Sequence, residues 1–358
     1  MASVTPSLPD ALTLCAWPAF ENATGNPYNR LLYEAVERQG VMVDEFTVRC
    51  ALTTRADLWH VHWPDDFLSR SSLVAASAYV AAELGAMALA RLRGTRIVWT
   101  VHDLGPHESH HPALERLFWR LFVPLVDGII SLSAHAEAAA LHRFPQLQKV
   151  PRAIVPHGHY RPAYPDPVPC ATARSALDLP HNAPVLAYVG RIRPYKNVDC
   201  LIHAFRHWPH PQARLLVTGN PSSERLRRSI ETQAAGNGRI RLDLRFVPDD
   251  DMPLVLGAAD VVVLPYNHIL HSGSALLALS FNRPVLVPAR GAMGELQRHV
   301  GAEWVRTYDG ELTASELDAA VQWAHNTNRP AQAPLDDLDW DVLAAQTVDL
   351  YRQVLAHP

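Results

Sequence analysis

Cysteine is scarce in this chain: four residues, Cys15, Cys50, Cys170 and Cys200, lie far apart and form no CxxC pair. That excludes a disulfide framework or a cysteine-based zinc site and fits buried thiols in a reducing compartment. Charge is scarce as well, at 19% of residues against 48% hydrophobic, with a net charge of −4. So small an imbalance exerts no global pull towards nucleic acid, and any anion binding must be local. The same balance excludes a disordered chain. Long apolar runs are missing apart from Leu73–Ala90, where Glu83 is the single charge and Arg91 and Arg93 follow. Alanine, serine and glycine keep that run weakly apolar, so it is read as a helix buried against a sheet, not a membrane span. The start, Met-Ala-Ser-Val-Thr-Pro, has no basic segment followed by an apolar one, and no secretory signal is expected.

What is present is alternation. The 358 residues suffice for two domains, and short apolar strands alternate with helical stretches throughout, the pattern of parallel α/β folds. Expected strands in the first half are Ala11–Ala16, Leu58–His62, Arg96–Val101 and Gly128–Leu132, with a helix over Asn29–Gln39 stopped by Gly40. Between Lys149 and Pro169, prolines at 151, 156, 162, 165, 167 and 169 are read as excluding regular structure and marking a connection. Strands are then expected at Val185–Val189, Ala213–Thr218, Ile240–Phe246, Val261–Leu264, Pro284–Val287 and Glu303–Val305, with helices at Ser222–Ala235 and Ser274–Ser280. The organisation that follows is a Rossmann-like domain over 1–160, a second over 161–338, and a terminal helix in 339–358 that packs back on the first.

Two strand ends in the second half carry chemistry. After Ala183-Pro-Val-Leu-Ala-Tyr-Val189 comes Gly190-Arg-Ile-Arg-Pro-Tyr-Lys-Asn197. A strand-end glycine lets backbone approach a ligand; Arg191 can fork onto phosphate oxygens, and Lys196 adds a mobile point charge. After Val261–Leu264, the run Ser272-Gly273-Ser274 precedes an apolar helical stretch, which aims an N-cap and free amides at a second anion position. Singly, each is also what an ordinary surface loop or a capped helix shows; together they point to a diphosphate.

These residues resemble the donor domain of GT-B glycosyltransferases, family 4 in general pattern: Gly190-Arg191 with Lys196, Ala259-Asp260-Val-Val-Val-Leu-Pro265, Ser272-Gly273 and Pro284-Val285. In the first half, Thr100-Val-His102-Asp103 resembles the acceptor-domain strand end with the active-site histidine. Asp127-Gly-Ile-Ile-Ser-Leu-Ser133 and Val155-Pro-His-Gly158 resemble the segments leading into the interdomain cleft. The resemblance implies the GT-B fold, two Rossmann-like parallel-sheet domains facing a central cleft. Family 4 carries two glutamates eight positions apart around the second loop; here Ile269 and Leu277 stand there, which removes the carboxylates of those retaining enzymes. Trp59-His-Val-His-Trp-Pro-Asp65 and His102-Asp-Leu-Gly-Pro-His-Glu108 are most similar to family 94, the xanthan-type β-mannosyltransferases.

That similarity implies transfer of mannose from GDP-mannose, with inversion, to a lipid-linked oligosaccharide with a glucuronyl terminus in bacterial exopolysaccharide synthesis. An inverting transfer needs a general base and relief for the departing diphosphate. Arg191, Lys196 and the Ser272–Ser274 amides would relieve the diphosphate, with no metal cofactor expected. Glu108 and Asp103, ahead of Asp65, are the candidate bases, and His102 is expected to contact sugar or phosphate. Asp65 and His107 are assigned to the acceptor region, Val247 and Pro248 to the nucleobase region. Asp103 is equally read as a helix cap, and His60 as a satisfied core group. Side-chain alternation is read as leaving only one of His60 and His62 on the ligand side.

His107-Glu108-Ser-His-His111 matches the zinc-protease pattern H-E-x-x-H, which works only on a helix; Pro112 pushes His111 out of helical geometry and argues against it. Leu114–Val126 brings Arg116, Phe118, Trp119, Arg120 and Phe122 together. That mixture suits either a membrane surface, for a cytoplasmic enzyme with peripheral contact, or an ordinary helix before the Asp127 strand. Rival functions are another GT-B enzyme with a different nucleotide sugar (retaining transferase, epimerase or hydrolase) and a non-catalytic nucleotide-sugar-binding protein. No nucleic-acid partner is expected.

Overall fold

The computed structural model describes residues 12–23, 25–47, 55–105 and 110–357. In chain order the elements are β1 (Thr13–Trp17), α1 (Tyr28–Arg38), β2 (Met42–Glu45), β3 (Leu58–Val61), α2 (Leu73–Leu92), β4 (Arg96–Val101), α3 (Pro112–Phe122), β5 (Gly128–Ser131), α4 (Ala134–Arg143) and β6 (Arg152–Ile154). There follow α5 (Cys170–Ala176), β7 (Val185–Val189), α6 (Val198–His207), β8 (Arg214–Thr218), α7 (Glu224–Ala234), β9 (Ile240–Asp243), α8 (Met252–Ala258) and β10 (Val261–Val263). The last are α9 (Gly273–Ser280), β11 (Val285–Pro288), α10 (Met293–Val300), β12 (Val305–Tyr308), α11 (Ala314–Asn326) and α12 (Trp340–Ala356). They form two compact units: the described residues up to Gly158 together with those from Leu338 onward, and His159–Asp337.

Each unit holds one six-stranded parallel sheet, ordered β2-β1-β3-β4-β5-β6 in the first and β12-β11-β10-β7-β8-β9 in the second. Parallel strands covered on both faces read as unbroken apolar runs, and every residue of β7 and β10 is buried. Strand order reverses between β1 and β3 in the first sheet and between β7 and β10 in the second. Ligands of such sheets bind beyond the carboxyl ends of the strands at that reversal.

Aspartates just before strands pin the register. Asp57 accepts the Thr13 amide at 2.8 Å, Asp127 that of Ile97 at 2.8 Å and Asp260 that of Val185 at 2.7 Å. Asp127 also pairs with Arg91 at 2.9 Å, and Asp260 with the buried Arg174 at 2.8 Å. Each carboxylate thus satisfies an amide in the first two residues of a neighbouring strand. In the first unit, α12 lies on α1 and on β4, β5 and β6. Two glycines make that seat: a Cβ on Gly128 would sit 2.4 Å from Val354, and one on Gly158 2.5 Å from the Trp340 indole.

Several expectations need correction. The proline-rich stretch does contain a strand, β6, whose residues alternate exposed and half-buried; Pro151 lies before it and Pro156 after it, so neither withholds an amide from the ladder at this sheet edge. The last strand of the second unit is Val305–Tyr308, not Glu303–Val305, because Gly301 (φ 105) and a Trp304 amide bond to its carbonyl at 3.1 Å make a turn first. β9 stops at Asp243, well short of Phe246. The run read as a buried helix is α2, which buries only a stripe of Ala76, Val80, Glu83, Met87 and Ala90 and leaves Val74 81% and Leu92 85% exposed. By length and composition it is apolar enough to cross a membrane.

Candidate functional site

At the reversal in the second unit, three of the sequence-predicted phosphate residues, Gly190, Lys196 and Ser274, come together. Gly190 ends β7 with φ 134, and a Cβ there would lie 2.7 Å from the Ser274 hydroxyl and 3.6 Å from the Lys196 ammonium. Only glycine adopts that conformation without strain and leaves that space open. Next to it, a Cβ on Gly219 at the end of β8 would collide with the Gly190 carbonyl, so the two backbones touch. Ser272 is buried and caps α9 by accepting the Ala275 amide at 3.1 Å; the amides of Gly273 and Ser274 stay in the first turn, where an anion is favoured.

The loop after β7 is tied to the loop after β10. The Asn267 amide donates to the Tyr195 carbonyl at 2.8 Å, Asn197 (φ 55) donates to the Asn267 side chain at 3.0 Å, and the Lys196 ammonium lies 5.4 Å from the Tyr266 ring centroid. An aromatic face under a half-buried lysine restrains its position. Tyr266 and Asn267, which seat Lys196, were not singled out by sequence; the signal was their place at the end of β10. Arg191 is exposed, and its carbonyl accepts the Tyr188 hydroxyl at 3.1 Å. Of the nucleobase pair, Val247 is buried and Pro248 exposed in the loop after β9. Ile269 and Leu277 offer no carboxylate, and Leu277 is buried in α9.

At the strand ends of the first unit the material is different. His60 is buried between the Tyr351 hydroxyl at 2.6 Å and the Thr100 hydroxyl at 2.6 Å. His62 sits between the Tyr33 hydroxyl, 2.5 Å from Nε2, and His102, whose Nε2 is 2.9 Å from Nδ1. The Trp63 ring stacks on His102 at 4.3 Å, and Tyr28 meets His102 and His157 edge-on at 5.0 and 4.7 Å. Burial holds His60 far below the usual histidine range, at about 3, and burial with the two neighbouring imidazoles holds His62 well below it too. Both rings are therefore neutral hydrogen-bonding groups at pH 7. The alternation argument about them was wrong: residues two apart share a face, and these rings lie 4.4 Å apart.

His102 is buried just past β4, with Asp103 half-buried after it. Asp65 is buried next to Glu83, a carboxyl that sequence reading treated only as a stray charge. Glu83 has no hydrogen-bond partner among the described residues; burial, and then the Asp65 carboxylate, push its pKa well up. Glu108 and His107 lie outside the described residues. His111 stands before α3 in a non-helical conformation (φ −135, ψ 73), out of the geometry the zinc-protease pattern needs. Phe118, Trp119 and Phe122 are all buried, so the aromatic membrane contact read from Leu114–Val126 is corrected: α3 turns Arg116, Leu117, Arg120 and Leu121 outward, and its rings fill the core.

Residues 171–322 match the family model for glycosyl transferases group 1. Among solved structures, sucrose-phosphate synthase from Thermosynechococcus elongatus aligns with TM-score 0.70 at 19% identity, over 96% of this chain and 99% of that one. Anabaena Alr3699/HepE in complex with UDP-glucose aligns with TM-score 0.61 at 16% identity, over 96% of both chains. Two parallel-sheet units and these neighbours define the two-domain GT-B fold. The GDP-mannose:glycolipid 4-β-D-mannosyltransferase of Xanthomonas campestris pv. campestris is 32% identical over 321 residues, 89% of this chain and 86% of that one. The chain belongs to the glycosyltransferase family of that enzyme.

Proposed function

We propose that the enzyme transfers mannose from GDP-mannose, with inversion, to a lipid-linked oligosaccharide with a glucuronyl terminus. The setting is bacterial exopolysaccharide synthesis at the cytoplasmic face of a membrane. The observation that carries the reading is the 32% identity, over most of both chains, to an enzyme of that donor and a glycolipid acceptor. The meeting of Gly190, Lys196 and Ser274 supports the donor half. In the transfer, the acceptor hydroxyl gives its proton to a carboxylate, for which Asp103 and Glu108 remain the candidates. Its oxygen then attacks the anomeric carbon on the face opposite the diphosphate. The C–O bond to GDP breaks, and negative charge grows on the β-phosphate. Lys196, Arg191 and the Gly273 and Ser274 amides offset that charge without a metal.

Inversion is favoured by what replaces the paired glutamates: neither Ile269 nor Leu277 can stabilise the donor sugar on the retaining face. Contact with lipid is supported by the outward Leu117, Leu121, Arg116 and Arg120 of α3 and the exposed Val74 and Tyr79 of α2. Incubation with GDP-mannose and a glucuronyl-terminated polyprenyl-linked acceptor tests the reading. A β-mannosyl product whose formation persists in EDTA is expected. Preference for a UDP-sugar, or an α-linked product, contradicts it. Anionic vesicles should carry the protein upward in a flotation gradient.

A further inference from the structure

The hydrogen bonds around His102 have a direction. Among the described residues the Tyr33 hydroxyl has one hydrogen-bond partner, Nε2 of His62, and that hydroxyl is buried in the core. A buried hydroxyl must place its hydrogen on an acceptor, so Tyr33 donates and Nε2 of His62 accepts. The neutral His62 ring then carries its single hydrogen on Nδ1 and donates it across 2.9 Å to Nε2 of His102. An Nε2 that accepts cannot carry a hydrogen, which leaves Nδ1 as the one N–H of His102. Stacking on Trp63 at 4.3 Å and the edge of Tyr28 at 5.0 Å hold the ring in that orientation.

We propose that Tyr33 and His62 are positioning residues that lock His102 in the Nδ1–H tautomer, so that the ring's lone pair is taken up by His62 and His102 serves the site as a hydrogen-bond donor and not as a base. The functional half rests on the reading of His102 as a contact to sugar or phosphate. The arrangement explains why two further rings are buried behind a strand-end histidine that could have been held by packing alone. It also separates roles: proton removal from the acceptor falls to a carboxylate, because the imidazole lone pair is already occupied.

Long-range 1H–15N spectra of the full chain labelled at histidine test this directly, with His102→Asn used for assignment. His102 is expected to show its hydrogen on Nδ1 at pH 7, and Tyr33→Phe, which keeps the ring and removes only the hydroxyl, should split it between the two nitrogens. The same variant should lower kcat roughly fivefold to tenfold with donor KM little changed, the size expected for one misdirected hydrogen bond. Hydrogen on Nε2 of His102 in the wild type overturns the relay, as does an unchanged tautomer in Tyr33→Phe. A correct tautomer together with full transfer by His102→Ala overturns the substrate contact and leaves the relay standing.

Discussion

Where β7 and β10 end, side chains are small or absent: Gly190, Gly219 and Ser272 to Ser274 expose backbone, and Lys196 is the half-buried cation beside them. Where β3 and β4 end, the space is filled with rings: Tyr33, His62 and His102 hydrogen-bonded in a row, His60 bonded to Tyr351 and Thr100, and Trp63 and Tyr28 packed on His102. Both regions lie at the carboxyl ends of strands in the same kind of parallel sheet, so the kind of sheet does not make the difference. Backbone amides plus one lysine suit a doubly charged leaving group, because the donors need no reorganisation as charge grows. A packed set of imidazoles and phenols, with His60 and His62 neutral, suits hydroxyl-bearing partners, which want fixed donors and acceptors. One strand end exposes peptide; the other buries side chains.

The comparison is broken most severely at Gly190. Gly190→Ala forces a left-handed backbone on a residue with a Cβ and drives a methyl against Ser274. It should cut kcat/KM roughly 100-fold while the melting of the other unit is unchanged. The ring cluster should show itself through acid. His60 has a folded pKa of about 3, below its ordinary value, so the unfolded chain takes up the proton first as pH falls. Its stabilisation is therefore complete above about pH 6.5 and drains away towards pH 3. Urea unfolding at pH 7 and pH 5 should differ by about 2 kcal/mol from this residue alone. A flat profile would mean the rings are charged or hydrated.

Smaller effects sharpen the phosphate side. Lys196→Met should weaken GDP binding by about tenfold, with less difference at high salt; an equal loss for guanosine would show that the lysine does not read phosphate. Ser272→Ala removes the cap of α9 but keeps its backbone, and should cost about 1 kcal/mol of stability, read by urea titration, with a smaller loss of nucleotide affinity than Lys196→Met.

Much of the fold was legible because central parallel strands announce themselves: Val185–Val189 and Arg96–Val101 were bounded to the residue. Edge strands hide. Met42–Glu45 is half-exposed and acidic, and Val305–Tyr308 carries Arg306 and Thr307, so neither has an unbroken apolar run. Gly190, Lys196 and Ser272 to Ser274 could be found because glycine and serine after an apolar run have a local physical meaning. Tyr33, His62 and His102 could not be joined from sequence, since the bonds between them span 29 and 40 residues. Asp127 and Asp260 were visible as parts of recurring segments, yet their work of holding an amide near the start of a neighbouring strand appeared only in three dimensions.

A crystal structure of the enzyme with GDP bears most directly on the central claim. The account predicts the diphosphate against the amides of Gly273 and Ser274, within reach of the Lys196 ammonium and above Gly190. A diphosphate bound elsewhere, with Lys196 still resting on Tyr266 and the first turn of α9 facing solvent, would contradict it.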